Sequence, residues 1–496
     1  MINLIKKILK KPIKKILLWT EKVSPPEKFK FDLEIFKRDI HIPTTVIAVF
    51  IYISLVITVS FELGLNLTGV LGLMVFLAVI MLLSIVYMKK SQVEFINDDE
   101  SVMLVGFILI FVIFLSGILK TYGFVAWAVP GAVVAILITL LISPVIAVIS
   151  SLIVSIFLGI LFNFSVSVFS VSCLSCIVGV FASTKVENRH DFIKVGYYLI
   201  LTNIVVIISI GLLEGWTVKA FLTPIMWGAI NGVFSVMLAS AFLPYLEKFF
   251  SKTTSIRLLE LSDFKQPLLK RLMLEAPGSY HHSLMVASLA ESAASAVDAN
   301  PLLCRVGAYY HDVGKITMPN YFIENQSVDI FKHEDLKSEM YSFIIISHVK
   351  EGICLMREYG VDKIITDIVN QHHGTSLVRY FYMKALEDNA MEPEESIYRY
   401  PGPRPKLKES AIIMLADSVE AASRTLDDVS FPQLWEIVHK IINNKFIDGQ
   451  LSEVELTLVD LNKIAEKFVN VLTGIYHSRV KYPEEAQIDS NKTTEQ

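Results

Sequence analysis

Cysteine is scarce in this chain, with four in 496 residues. Four cannot staple a fold of this size, which excludes a disulfide-dense secreted scaffold. Cys173 and Cys176 form a C-x-x-C pair, but they lie inside an apolar run without further ligands nearby. They read as small residues packed between helices. Cys304 and Cys354 read as core thiols of a reducing compartment. Charge is the second scarcity. Residues 44–244 are almost all apolar, with no charged residue in the middle of any span, which argues against an ion or proton path through them. Strand patterning is the third: no alternating apolar–polar run is long enough for a sheet.

What is present falls into two parts. Hydrophobic residues make up 53% of the chain and mean hydropathy is +0.53, above an ordinary soluble domain. The excess sits in 44–244, whereas 245–496 has mixed, charged composition. The split predicts an all-α protein: a polytopic helical membrane domain, a linker helix over 245–262, a helical soluble domain over 263–482 and a disordered tail over 483–496. In the soluble part, apolar residues recur at helical spacing, as at Val286, Leu289, Ala290, Ala293 and Val297.

A membrane-spanning helix takes about 20 apolar residues. Eight segments qualify: 44–62, 67–88, 102–119, 123–142, 144–162, 165–183, 194–213 and 219–244. Lysine and arginine near span ends stay cytoplasmic. Lys89, Lys90, Lys185, Arg189, Lys194, Lys248, Lys252 and Arg257 all fall on the side of the N-terminus when the count is eight. Parity and charge therefore predict a multi-pass protein of a bacterial cell membrane with both termini and the soluble domain cytoplasmic. Residues 1–43 carry nine lysines in their first 30 positions, with Ile5, Ile8, Leu9, Ile13, Ile16 and Leu17 at helical spacing. This segment reads either as a basic amphipathic helix on an anionic leaflet or as a disordered topogenic tail. The apolar run at 44 begins too far in, and is too long, for a signal peptide.

Seven of the eleven histidines lie between 281 and 373, where random scatter would put about two. They are His281, His282, His311, His333, His348, His372 and His373. Asp312 directly follows His311, and a carboxylate can bind two ions at once through its two oxygens. Asp417 sits in the apolar stretch Met414-Leu415-Ala416-Asp417-Ser418, costly unless paired or metal-bound. The candidate ligands are His282, His311, Asp312, His348, His372, His373 and Asp417. Nitrogen-rich ligation with carboxylates suits iron, manganese or zinc rather than magnesium or calcium. Two such ions clamp the attacking and leaving oxygens of a phosphoryl displacement. His282 shares a face with Val286 and Leu289 and points inward, which leaves His281 behind the ligands or facing substrate. Adjacent residues on a helix diverge by about 100°, so one of His372 and His373 can be a surface histidine. His333 stands among Lys332, Glu334 and Asp335 and reads as a solvated loop. Lys315 lies one turn past His311, placed to neutralise a phosphate.

These residues resemble the HD-domain metal phosphohydrolases, and more narrowly the seven-transmembrane HD proteins, the PgpH-type cyclic-di-AMP phosphodiesterases. The stretches that carry the likeness are Glu275-Ala276-Pro277-Gly278-Ser279-Tyr280-His281-His282-Ser283, Tyr309-Tyr310-His311-Asp312-Val313-Gly314-Lys315, Tyr321-Phe322-Ile323-Glu324-Asn325-Gln326, Ser347-His348-Val349-Lys350, Gln371-His372-His373-Gly374-Thr375 and Asp417-Ser418-Val419-Glu420-Ala421-Ala422-Ser423-Arg424. The resemblance implies hydrolysis of cyclic di-AMP to linear pApA at two divalent transition-metal ions, iron or manganese. His282, His311, Asp312 and Asp417 would hold one ion; Asp312, His348, His372 and His373 the other. Asp312 and Lys315 would be catalytic, and Lys315, His281, Tyr310, Asn325 and Arg424 would face the substrate. The implied partners are cyclic di-AMP and the lipid bilayer, with no nucleic-acid polymer, and a homodimer is included among the expectations. The chain departs from the pattern in two ways. Only residues 63–66 separate the first two spans, so the large extracellular domain of typical members is missing there. Ile316-Thr317-Met318 stand where relatives often carry basic residues. No Gly-Tyr-Pro motif follows His373-Gly374, which disfavours cyclic di-GMP. The rival readings are an HD phosphohydrolase of another nucleotide and a receptor that binds nucleotide without cleaving it.

Overall fold

A computed structural model describes residues 44–326, 337–388, 393–426 and 430–477. The basic N-terminal segment, His333 and the C-terminal tail lie outside them. The described residues form helices and turns, with a single isolated bridge between Leu377 and Arg399. The first half comprises α1 (Thr44–Leu63), α2 (Leu67–Ser91), the short α3 (Val93–Asn97), α4 (Asp99–Thr121), α5 (Ala132–Leu141), α6 (Pro144–Leu161), α7 (Val166–Ser183), α8 (Asp191–Leu213) and α9 (Leu222–Phe249). Seven of these helical runs are long and apolar enough to cross a membrane.

The fourth expected span, 123–142, is the exception. Pro130 has no N–H to donate and disfavours helix in the residue before it, so α5 starts only at Ala132. Its ten residues rise about 15 Å, half the thickness of a hydrocarbon core. It is buried along nearly its whole length against α4, α6, α7 and α9. By contrast α1 and α2 present many exposed apolar side chains, Phe50, Phe61, Leu82 and Leu83 among them. Polar groups inside the bundle serve packing: Asn203 donates to the Gly228 carbonyl, and Asn231 donates to the Trp127 and Val129 carbonyls.

The expected linker helix 245–262 is not continuous. α9 runs past Pro244 to Phe249, the chain turns through Ser251 at positive φ, and α10 (Ser255–Leu261) begins behind the Thr254 cap. The boundary between the halves falls here, because one buried apolar cluster ends at Ile256 and the second begins at Leu258. Two ion pairs tie membrane-side loops to this junction: Lys252–Asp98 and Arg189–Glu260, each at 2.7 Å.

The second half contains α11 (Pro267–Glu275), α12 (Pro277–Ala294), α13 (Pro301–Tyr310), α14 (Ser338–Glu358), α15 (Lys363–Gln371), α16 (Arg379–Asp388), α17 (Lys408–Ser423), α18 (Phe431–Ile447) and α19 (Leu458–His477). Helix α12 is central, packing on α13, α17 and α19. Proline stands in the first turn of α11, α12, α13 and α18, where its missing N–H costs nothing. Cys304 is buried, but Cys354 is exposed rather than a core thiol, because α14 turns that position outward.

Candidate metal centre

Five places in the helical half converge on one buried cluster. His282 comes from α12. His311 and Asp312 follow the last turn of α13, His348 comes from the middle of α14, His372 and His373 follow α15, and Asp417 comes from α17. The donor atoms of His282, His311 and Asp417 lie within 4.8 Å of one another, as do those of His348, His372 and His373. Asp312 stands between the two groups. Its Oδ1 is 3.4 Å from His348 Nε2, while its Oδ2 is 3.2 Å from His311 Nε2 and 3.6 Å from His282 Nε2. Asp417 also divides its oxygens: Oδ1 is 3.0 Å from His282 Nε2, and Oδ2 is 3.6 Å from His373 Nδ1.

Backbone carbonyls set the imidazole orientations. His311, His348 and His372 each point Nδ1 at the carbonyl three residues back: Ala308, Ile345 and Val369. A carbonyl only accepts, so Nδ1 carries the proton and Nε2 offers its lone pair to the cluster. His348 Nε2 and His372 Nε2 then face each other at 3.4 Å, an arrangement that wants a cation between them. His311 Nε2 is buried without a hydrogen-bond partner, which is costly unless another group completes it. The donor set, two carboxylates and five imidazoles, fits two transition-metal ions.

Electrostatics sorts the cluster. Burial pulls the His348, His372 and His373 pKa values down, His372 to about 3, so all three are neutral at physiological pH, the form that ligates a metal. Burial would raise Asp312, but the charge of Lys315 outweighs it and holds the carboxyl well below its ordinary range. Burial would raise Asp417 too, but the hydrogen bond from His282 and the charge of that imidazole depress it. His282 goes the other way. Burial lowers it, yet hydrogen bonds to Asp417 and Glu420 lift it to about 10.

All seven expected ligands thus meet in one place. Both members of the His372-His373 pair turn inward, just past the end of α15 at Gln371. His373 stacks on Tyr400 at 4.2 Å between ring centroids, and Gly374 takes a positive φ. Lys315 is not extended toward solvent. Its ammonium forms ion pairs with Asp312 at 2.8 Å and with Glu324 at 2.7 Å.

Three of the residues expected to face substrate have other partners. Tyr310 is buried in the core and its hydroxyl donates to the Leu261 carbonyl; adjacency to His311 puts it on another face of the helix. Asn325 spends both ends of its amide on Ser279, accepting from its N–H and donating to its hydroxyl. Arg424 is paired with Glu420. His281 is exposed beside buried His282. Two carboxylates escaped the sequence reading. Glu420 lies on His282 Nδ1, and Glu324 accepts from Ser279 and pairs with Lys315. Glu420 had a signal: it lies three residues after Asp417 and so on the same face of α17. Glu324 is in a 3-10 turn, where no periodicity marks it.

Residues 67–254 match the family described as 7TM receptor with intracellular HD hydrolase, and residues 279–422 match the HD domain. The chain is 37% identical over 428 residues to cyclic-di-AMP phosphodiesterase PgpH of Bacillus subtilis (strain 168), covering 83% of this chain and 60% of that one. It is 40% identical over 301 residues to the protein of that name from Listeria monocytogenes serotype 1/2a (strain 10403S), covering 60% of this chain and 42% of the other. The chain therefore spans less than two thirds of the length of either relative. The crystal structure of the L. monocytogenes PgpH HD domain in complex with cyclic-di-AMP is 46% identical, covering 42% of this chain and 98% of that one, with a TM-score of 0.41.

Proposed function

Because the chain belongs to the family of seven-transmembrane receptors with an intracellular HD hydrolase, we propose that it is a membrane-bound phosphodiesterase that hydrolyses cyclic di-AMP to linear pApA at a two-metal centre. The observation that carries this reading is Asp312, whose two oxygens face two separate ligand groups. The nucleotide is taken from the relatives, both of which bear the name cyclic-di-AMP phosphodiesterase. His282, His311, Asp312 and Asp417 would hold one ion, and Asp312, His348, His372 and His373 the other. Iron or manganese suits this donor set. Bound there, the metals would supply Lewis-acid stabilisation of a phosphoryl oxygen.

The reaction adds water across one phosphodiester: an oxygen–phosphorus bond forms, the bond from phosphorus to the 3′ oxygen breaks, and that oxygen leaves with a proton. The chain's own residues hold the site in shape for it. The carbonyls of Ala308, Ile345 and Val369 keep three imidazoles from rotating. Lys315 brings a positive charge against Asp312 and balances the negative charge that phosphate adds. The HD domain would face the cytoplasm. The basic loops support this, since Arg189 and the Asp98 loop meet the HD side of the junction.

Turnover of a nucleotide panel by the full-length protein tests the assignment. Cyclic di-AMP should give pApA at a rate well above other cyclic or linear nucleotides, and Asp312→Asn should abolish both turnover and stoichiometric metal. Preferred cleavage of a different nucleotide, or cyclic di-AMP bound and left intact with metal present, would overturn it.

A further inference from the structure

A second polar pocket, of about 400 Å³, lies at the junction of the two halves. Its walls come from the end of α9, from the turn and helix that follow, and from the Gly360–Lys363 segment at the start of α15. At 1.5 Å per residue the 28 residues of α9 are about 42 Å long, roughly 12 Å more than a hydrocarbon core. Its last turns therefore pass into the headgroup layer. Tyr245 and Phe249, 75% and 62% exposed, lie in those turns, as aromatic residues do at a membrane interface.

The charges of the pocket do not cancel. Asp362 is paired with Arg257 and accepts from Thr253. Glu260 is taken by Arg189 and Arg257. Glu247 accepts from Thr254. Lys252 is paired with Asp98. Lys248 and Lys363 remain, both exposed and both lining the pocket, with no acidic partner among the described residues. They come from opposite halves of the protein.

We propose that this pocket takes the phosphate of an anionic phospholipid headgroup, held by Lys248 and Lys363. A phosphodiester monoanion supplies the charge that the lysines lack, and its acyl chains lie alongside α9 where the bilayer already is. Lys363 opens α15, and the far end of that nine-residue helix leads into His372 and His373. The lipid phosphate and the metal centre are thus joined by one short helix.

The test titrates full-length protein in detergent with phosphatidylglycerol, phosphatidylcholine and inorganic phosphate, reading binding from native mass spectra. The double variant Lys248→Gln/Lys363→Gln should bind phosphatidylglycerol about 10- to 30-fold more weakly than the parent. Binding of zwitterionic phosphatidylcholine should be unchanged. Lys89→Gln/Lys90→Gln, which alters basic residues outside the pocket, should behave like the parent. Unchanged phosphatidylglycerol binding in the pocket variant, or an equal loss in the Lys89/Lys90 control, would overturn the site. Inorganic phosphate that displaces the lipid with the same lysine dependence would overturn the lipid as its occupant.

Discussion

Glu420 Oε2 lies 2.5 Å from His282 Nδ1, and Arg424 grips the other oxygen of the same carboxylate. The three residues form a line from the protein surface to the first ligand group. An acidic partner on the far nitrogen fixes the ring of a ligating histidine and raises its basicity. Glu420→Gln should therefore weaken metal binding about 10- to 100-fold with little change in fold. Competition with a chelator of known affinity measures it, and unchanged affinity would remove Glu420 from the site.

His282 links metal uptake to pH. Its pKa of about 10 in the metal-free protein lies above its ordinary value, so its stabilising contribution is complete below about 6.5 and lost as pH rises through 10. A metal needs the deprotonated nitrogen. Chelator-treated protein should lose thermal stability between those limits, while metal affinity rises over the same window. Thermal unfolding and metal titration at several pH values give both slopes; a metal affinity independent of pH would contradict the assignment.

Lys315 is buried between Asp312 and Glu324. Lys315→Ala should keep the metals yet lower kcat by about 100-fold, the scale for losing one charge-stabilising donor. Metal analysis beside steady-state kinetics separates the two effects. Loss of metal in step with activity would instead make Lys315 a support for Asp312.

Gly314 lets the turn after Asp312 pack directly on α14. A Cβ there would overlap the carbonyl oxygen of His348. Gly314→Ala should cost about 1–3 kcal/mol through overpacking and push Asp312 away from His348. Unfolding curves with and without manganese should show the larger loss in the metal-loaded protein.

Much of this was legible before any coordinates. The apolar block, the helical soluble half and the seven candidate ligands that the fold brings together follow from hydropathy, period and donor chemistry, all of them local properties of the chain. What escaped was decided in part by neighbours distant in sequence. Helix α5 is short because Pro130 delays its start, and it stays inside because four other helices cover it. Tyr310 has the right sequence neighbour, yet its hydroxyl belongs to Leu261. His372 and His373 both turn inward, just past the end of their helix.

Residue order was enough to name the donors, since an imidazole or a carboxylate is a ligand type wherever it stands. Which oxygen of Asp312 faces which histidines is a matter of tertiary structure, because those atoms meet only after α12, α13, α14, α15 and α17 have packed. The same holds for the roles of Glu420 and Glu324, and for the pairing that leaves Lys248 and Lys363 unneutralised. Charge is written in the chain, but whether a charge is satisfied depends on what the fold brings within a few ångströms of it.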